Sequence, residues 1–150
     1  MKYVIVLILC LLGSYLFQIG CSVENYTSSI LLRDLTARLS YGVKGIITYD
    51  KSNTIFTVEG IDNNVLHLSD AEDCYVEDFK PYLRPMSSMT EEEIFEQKSR
   101  MRHEGYFVNP LYFHTIEEFD YLNSIHVDYR GLIERGLALE ASEGMYDIKE

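Results

Sequence analysis

From Tyr3 to Ile19 the chain is almost unbrokenly apolar; from Ile30 onward, apolar and polar positions alternate with a period that changes several times. Leu32, Leu35 and Leu39 recur at helical spacing between Arg33, Asp34 and Arg38, which predicts a short amphipathic helix over Ile30–Leu39. Ser29 suits its N-cap and Gly42 its end. The period then shortens. Val43–Tyr49, Thr54–Glu59, Val65–Leu68, Cys74–Val76 and Phe79–Leu83 are rich in β-branched or aromatic residues, and Asp50–Asn53 and Asp62–Asn64 are turn-forming clusters between them. Short strands joined by tight polar turns predict a small antiparallel β-meander or an SH3-like barrel.

Pro81 and Pro85 bracket an extended connector. Next, Thr90 and Glu93 have the spacing of a capping box, with Glu91, Glu92 and Glu93 at the positive end of the helix dipole and Met89 and Ile94 placed as a hydrophobic staple. Lys98, Arg100, Arg102 and His103 crowd the far end of this helix, and Gly105 stops it. Thr115 and Glu118 repeat the box ahead of Phe119, Leu122 and Ile125. Asp128 is expected to cap a last short helix through Leu132 and Ile133, broken by Gly136, and Leu137–Leu139 to form a closing strand. The predicted class is α+β: an N-terminal amphipathic helix, the meander or barrel, and C-terminal helices.

The leading apolar run divides the chain. Lys2, the hydrophobic stretch and the small residues after it read residues 1–21 as a signal peptide or a membrane anchor. Gly20-Cys21 resembles a bacterial lipobox, which makes Cys21 the candidate lipidation residue, although Gln18 stands where that motif usually has leucine. Residues 22–29 read as a polar tether and residues 30–150 as one domain. Membrane association is therefore expected, as a lipoprotein or through a retained anchor. A true start downstream of the run would instead leave the protein cytoplasmic; since no Met lies between Met1 and Met86, that start would need a non-AUG codon.

Charge narrows the choice of partner. After Cys21 the chain carries 24 acidic residues against 12 basic ones, a formal net charge of −12. Such a surface repels phosphate, so no nucleic-acid partner is expected. It suits a basic protein partner or plain solubility. Cys74 is the only cysteine of the body, which excludes an internal disulfide there. Asp70, Glu72, Asp73, Glu77 and Asp78 surround it, and negative neighbours raise a thiol's pKa, so a structural role is expected over a nucleophilic one. The spacings of His67, His103, His114 and His126 match no paired metal-ligand motif, and the Asp70–Asp78 stretch lacks the EF-hand loop pattern. Neither a phosphate loop nor a nucleophile elbow occurs. No cofactor, metal or catalytic residue is expected on these grounds.

Three stretches carry a resemblance: Leu31–Leu39 running into Tyr41–Lys44, Lys80–Thr90, and Asp128–Ile133 through Gly136–Leu139 to Glu143–Tyr146. Their order and spacing resemble a family of small uncharacterised proteins of Bacteroides-like gut bacteria and their phages and mobile elements. Ser40 and Ser142 stand where the family has proline, and relatives usually begin near residue 28. The resemblance implies a common fold and no activity. Within these stretches Tyr82, Arg84, Tyr129 and Arg130 are the candidate interaction residues, because Tyr and Arg are enriched at interface hot spots; the competing reading packs the tyrosines and pairs the arginines with local carboxylates. The leading functional expectation is a non-enzymatic protein-interaction module tethered to a membrane. The alternatives are a cytoplasmic phage or mobile-element accessory protein with an acidic interaction surface, and an enzyme with a non-obvious site.

Overall fold

The computed structural model describes residues 27–100 and 116–147. The expected leader with Cys21, the first part of the tether, the Gly105 stop, His103, His114 and Thr115 of the second capping box lie outside these residues. Among the described residues helix α1 occupies residues 27–38, so that Ser29 lies within it, and a 3₁₀ turn at Leu39–Tyr41 continues it. Gly42 ends the turn at φ 67°, a left-handed conformation that glycine adopts without steric cost.

Six strands follow: β1 (Lys44–Ile47), β2 (Phe56–Asp62), β3 (Val65–Leu68), β4 (Cys74–Tyr75), β5 (Phe79–Leu83) and β6 (Leu139–Glu140). They form one sheet in the order β4-β3-β2-β1-β5-β6. β1 pairs antiparallel with both β2 and β5, and of the six strands β6 runs parallel to its neighbour. Among the described residues no ladder joins β4 to β6. Helices α2 (Glu91–Arg100) and α3 (Ile116–Ser124) complete the α+β architecture.

Strand alternation sets the core. Along β5 the pattern is strictly buried–half-buried, so Phe79 and Leu83 face inward. They join Ile47, Val58, Leu66, Leu68 and Cys74 from the other strands, and Leu31 and Leu35 from α1. β1 and β5 approach so closely at Gly45 that a Cβ there would overlap the Phe79 ring and the Lys80 carbonyl. A second small cluster gathers Met89, Leu122 and Val127, with Phe119, Ile125 and Tyr129 packed against it. Met89 thus packs toward α3, while Ile94, its expected staple partner, is 36% exposed.

Two expectations need correction. The buried face of α1 is Leu31, Asp34, Leu35 and Arg38, with Leu32 and Leu39 at its margin. This face is rotated by about a quarter turn from the Leu32–Leu35–Leu39 stripe. Charged residues take the inner positions because Asp34 and Arg38 neutralise each other one turn apart, at 2.8 Å. The expected last helix after Asp128 is a series of turns instead. Asp128 still performs the capping chemistry: its carboxylate accepts the backbone N–H groups of Leu132 at 2.9 Å and Ile133 at 2.8 Å.

Candidate functional site

The four candidate interaction residues fall into three neighbourhoods. Arg84 follows β5, and its guanidinium donates to both carboxylate oxygens of Glu93, at 2.7 and 2.9 Å, and to the Ser88 carbonyl at 3.1 Å. Glu93 also accepts the Thr90 N–H at 2.9 Å, while its own N–H donates to Thr90 Oγ1 at 3.2 Å. The predicted capping box is therefore formed, and Arg84 clamps it to the end of β5. The hydrogen bond from Arg84 holds the Glu93 carboxyl below the usual carboxylate range, with Arg84 raised in return.

Tyr129 and Arg130 belong to a buried polar network under α1. Arg38 has no exposure; its Nε and Nη2 donate to Asp34 at 2.8 and 3.2 Å, and Nη2 also donates to the Val127 carbonyl at 2.8 Å. Arg130 Nε donates to the same Asp34 carboxylate at 3.1 Å, and its Nη2 to the Tyr129 hydroxyl at 2.8 Å. Tyr129 donates onward to Asn123 Oδ1 at 3.0 Å, and its ring lies 5.5 Å from the Arg38 guanidinium and 4.8 Å from that of Arg130. Tyr82, half-buried on β5, offers its carbonyl to the Tyr146 hydroxyl at 2.7 Å. Tyr146 Oη also accepts the Lys44 N–H at 3.0 Å, so one phenol bridges β1 and β5 just past their last paired residues. All four candidates thus have intramolecular partners.

Cys74, His67 and His126 each lie in a distinct environment. Cys74 is buried, and burial, followed by the charges of Asp78 and Asp73, pushes its thiol up to about 11; it stays protonated at neutral pH. His67 pairs through Nδ1 with Asp73 at 2.9 Å on the surface. His126 is buried, donates from Nε2 to the Tyr41 carbonyl at 3.0 Å, and stacks on Tyr146 with ring centroids 3.6 Å apart. Burial first, then the Arg38 guanidinium, lowers it to about 4, so the imidazole is neutral. Among the described residues no group of three or more His, Cys, Asp or Glu side chains is arranged to hold a metal ion.

Large apolar side chains are exposed at Ile116, Tyr49, Tyr75 and Ile55 and on helix α2, where two lie side by side at a groove. None of the ten residues of α2 is buried. Glu93 fastens it to Arg84, and Gln97 donates to the fully buried Glu118 of α3 at 2.8 Å. Its two apolar side chains remain outside, Ile94 at 36% and Phe95 at 73% exposure. Between α2 and α3 lies an open groove of about 640 Å³ lined by Glu91, Glu92, Glu93, Phe95, Glu96 and Tyr121. Arg100 reaches back over its rim, 2.9 Å from Glu96 and 4.8 Å from the Tyr121 ring centroid. Burial, reinforced by Glu93 and Glu96, raises the Tyr121 hydroxyl. Sequence reasoning assigned Glu91–Glu93 to capping alone and passed over Phe95, Glu96 and Tyr121. The available signal was that Ile94 and Phe95 are adjacent and are the only apolar residues between Glu91 and Arg100, too few for a core-facing stripe.

Among the described residues no helix is long and apolar enough to cross a membrane. Comparison with family models, with curated proteins and with solved structures finds no match to this chain.

Proposed function

We propose that this chain is a non-enzymatic protein-interaction module, tethered to a membrane through residues 1–21 with Cys21 as the lipid-bearing residue, and that it meets its partner with the outer face of α2. One observation carries the reading: a phenylalanine 73% exposed beside a groove, on a helix with no buried residue. Covering such a side chain contributes about 1.5–3 kcal/mol, enough to anchor an interface. The arginines and tyrosines first singled out support it indirectly, since Arg84 holds α2 in place and Tyr129 and Arg130 stiffen the body behind it.

The test is site-specific photocrosslinking of the full chain in its host cells, followed by fractionation. A crosslinker at Phe95 is expected to give a discrete adduct with another polypeptide, and one at the exposed Lys51 none. Equal labelling from both positions, or none from either, overturns the interaction reading. The intact chain is expected in the membrane pellet; recovery in the soluble fraction removes the tether and leaves a cytoplasmic accessory protein using the same face.

A further inference from the structure

We infer that the groove between α2 and α3 receives a basic amphipathic helix of a partner protein, an aliphatic side chain of that helix resting on Phe95 and Tyr121 and its Arg or Lys residues reaching Glu91 and Glu92. The inference rests on the interaction reading above and adds the partner's chemistry.

Three observations point the same way. The first is charge. Glu91 and Glu92 are exposed and form no ion pair among the described residues, whereas Glu93 and Glu96 are matched by Arg84 and Arg100. Among the described residues the rim therefore carries two unmatched negative charges, in a chain of net charge −11. The second is an internal precedent. Arg100 shows how this rim holds a guanidinium: the cation lies over the Tyr121 ring at 4.8 Å while Glu96 accepts from it at 2.9 to 3.0 Å. An arginine arriving from outside finds the same materials, an aromatic face and carboxylates, one turn nearer the start of α2. The third is size. A ten-residue helix is about 15 Å long. Facing α2, an occupant of two or three turns presents one or two apolar anchors at i, i+3 or i+4, flanked by charge.

Charge separates this occupant from nucleic acid, whose phosphates the same carboxylates repel. A second copy is the competing occupant, since packing α2 antiparallel on its equivalent sets Glu91 and Glu92 against Lys98 and Arg100, and the oligomeric state of the chain separates the two. A basic helix is attracted from a distance, which raises its association rate and makes that rate depend on salt.

The probe is a labelled 14-residue peptide with Leu at i, i+3, i+4 and i+7 and Arg or Lys at the remaining positions, titrated by anisotropy against the detergent-solubilised full chain. Binding is expected, weakening at least tenfold between 50 and 300 mM salt. It is expected to weaken at least tenfold in Phe95→Ala and in Glu91→Lys/Glu92→Lys, and to stay unchanged in Glu59→Lys, at an exposed position on β2. Because Glu91 and Glu92 also favour the start of α2, Glu91→Gln/Glu92→Gln is run beside the reversal with circular dichroism, and a several-fold loss at unchanged helicity is expected. Equal binding to all variants, no binding, or preference for the charge-reversed peptide overturns the proposal. So does a dimer of the chain alone that Phe95→Ala dissociates, since it assigns the face to self-association. If the Phe95 crosslink forms and this peptide does not compete with it, the interaction reading stands and the basic partner falls.

Discussion

Replacing Asp34 with Leu gives the sharpest test of how this fold is held together. Arg38 has no exposure, and among the described residues Asp34 is the only carboxylate bonded to it. Removing that carboxylate leaves a guanidinium away from water with just the Val127 carbonyl accepting from it. Breaking a buried pair from one side costs about 3–5 kcal/mol, because the surviving charge is uncompensated. Arg130, 25% exposed on its side chain, loses a partner too, but solvent screens it and that loss adds well under about 1 kcal/mol. Against a typical domain stability of about 5–15 kcal/mol, the total is a large fraction. It corresponds to a fall in Tm on the order of 15 °C. Asp34→Leu/Arg38→Met removes both charges, and the destabilisation is expected to shrink by more than half, since an apolar pair of similar volume replaces an ion pair at little net cost. Urea unfolding of the full chain, followed by far-ultraviolet circular dichroism, measures both variants. If Asp34→Leu costs less than about 1 kcal/mol, or the double variant is as unstable as the single, the network is not the buried electrostatic lock described above.

Three further outcomes follow from the same geometry. The folded His126 binds its proton only near pH 4, whereas an unfolded histidine binds it near 6.5, so the unfolded state carries more protons between these values and stability falls as pH drops through that window. The contribution is about 3 kcal/mol, complete above pH 6.5. His126→Asn, which tolerates the positive φ of 55° at this position, is expected to flatten the urea midpoint between pH 4.5 and 7; an unchanged slope refutes the assignment. Arg84→Ala frees the capping box from β5, so amide exchange is expected to accelerate in residues 91–100 with an opening free energy lower by about 1–2 kcal/mol, while β1–β3 keep their protection. Uniform acceleration would mean that Arg84 supports the whole domain. Cys74 is expected to resist iodoacetamide at pH 8 in the folded chain and react at once in urea, read on its own proteolytic peptide; prompt labelling of the folded chain contradicts a buried, protonated thiol.

Much of the local structure is legible in residues a few positions apart. β3 and β5 begin and end where the apolar runs do, and the Thr90–Glu93 box forms as its spacing foretells. Hydrogen bonds within four residues settle the capping box, and the turn residues that flank the apolar runs mark where a strand can begin and end. β2 extends to Asp62, past its predicted end at Glu59, because β3 pairs with those residues across a bulge at Val58/Gly60. The candidate site was less legible. Glu91–Glu93 look the same in sequence whether they only cap a helix or also line a groove, and the groove exists because α3 lies beside α2.

Taken alone, the order of residues determines the α+β class, the strand–turn alternation, the acidic character and the helix start at Thr90. The inward face of α1 was decided only by tertiary structure. Asp34 and Arg38 are tolerated inside because Val127 and Arg130, some ninety residues further along the chain, add hydrogen bonds to the pair, although Arg38 Nη1 has no partner among the described residues. The parallel docking of β6, the Tyr146 hydroxyl between β1 and β5, and the exposure of Phe95 were settled the same way. Whether a charge can be buried, or an apolar ring left out, depends on which distant groups arrive beside it, and neighbours in sequence carry no record of that.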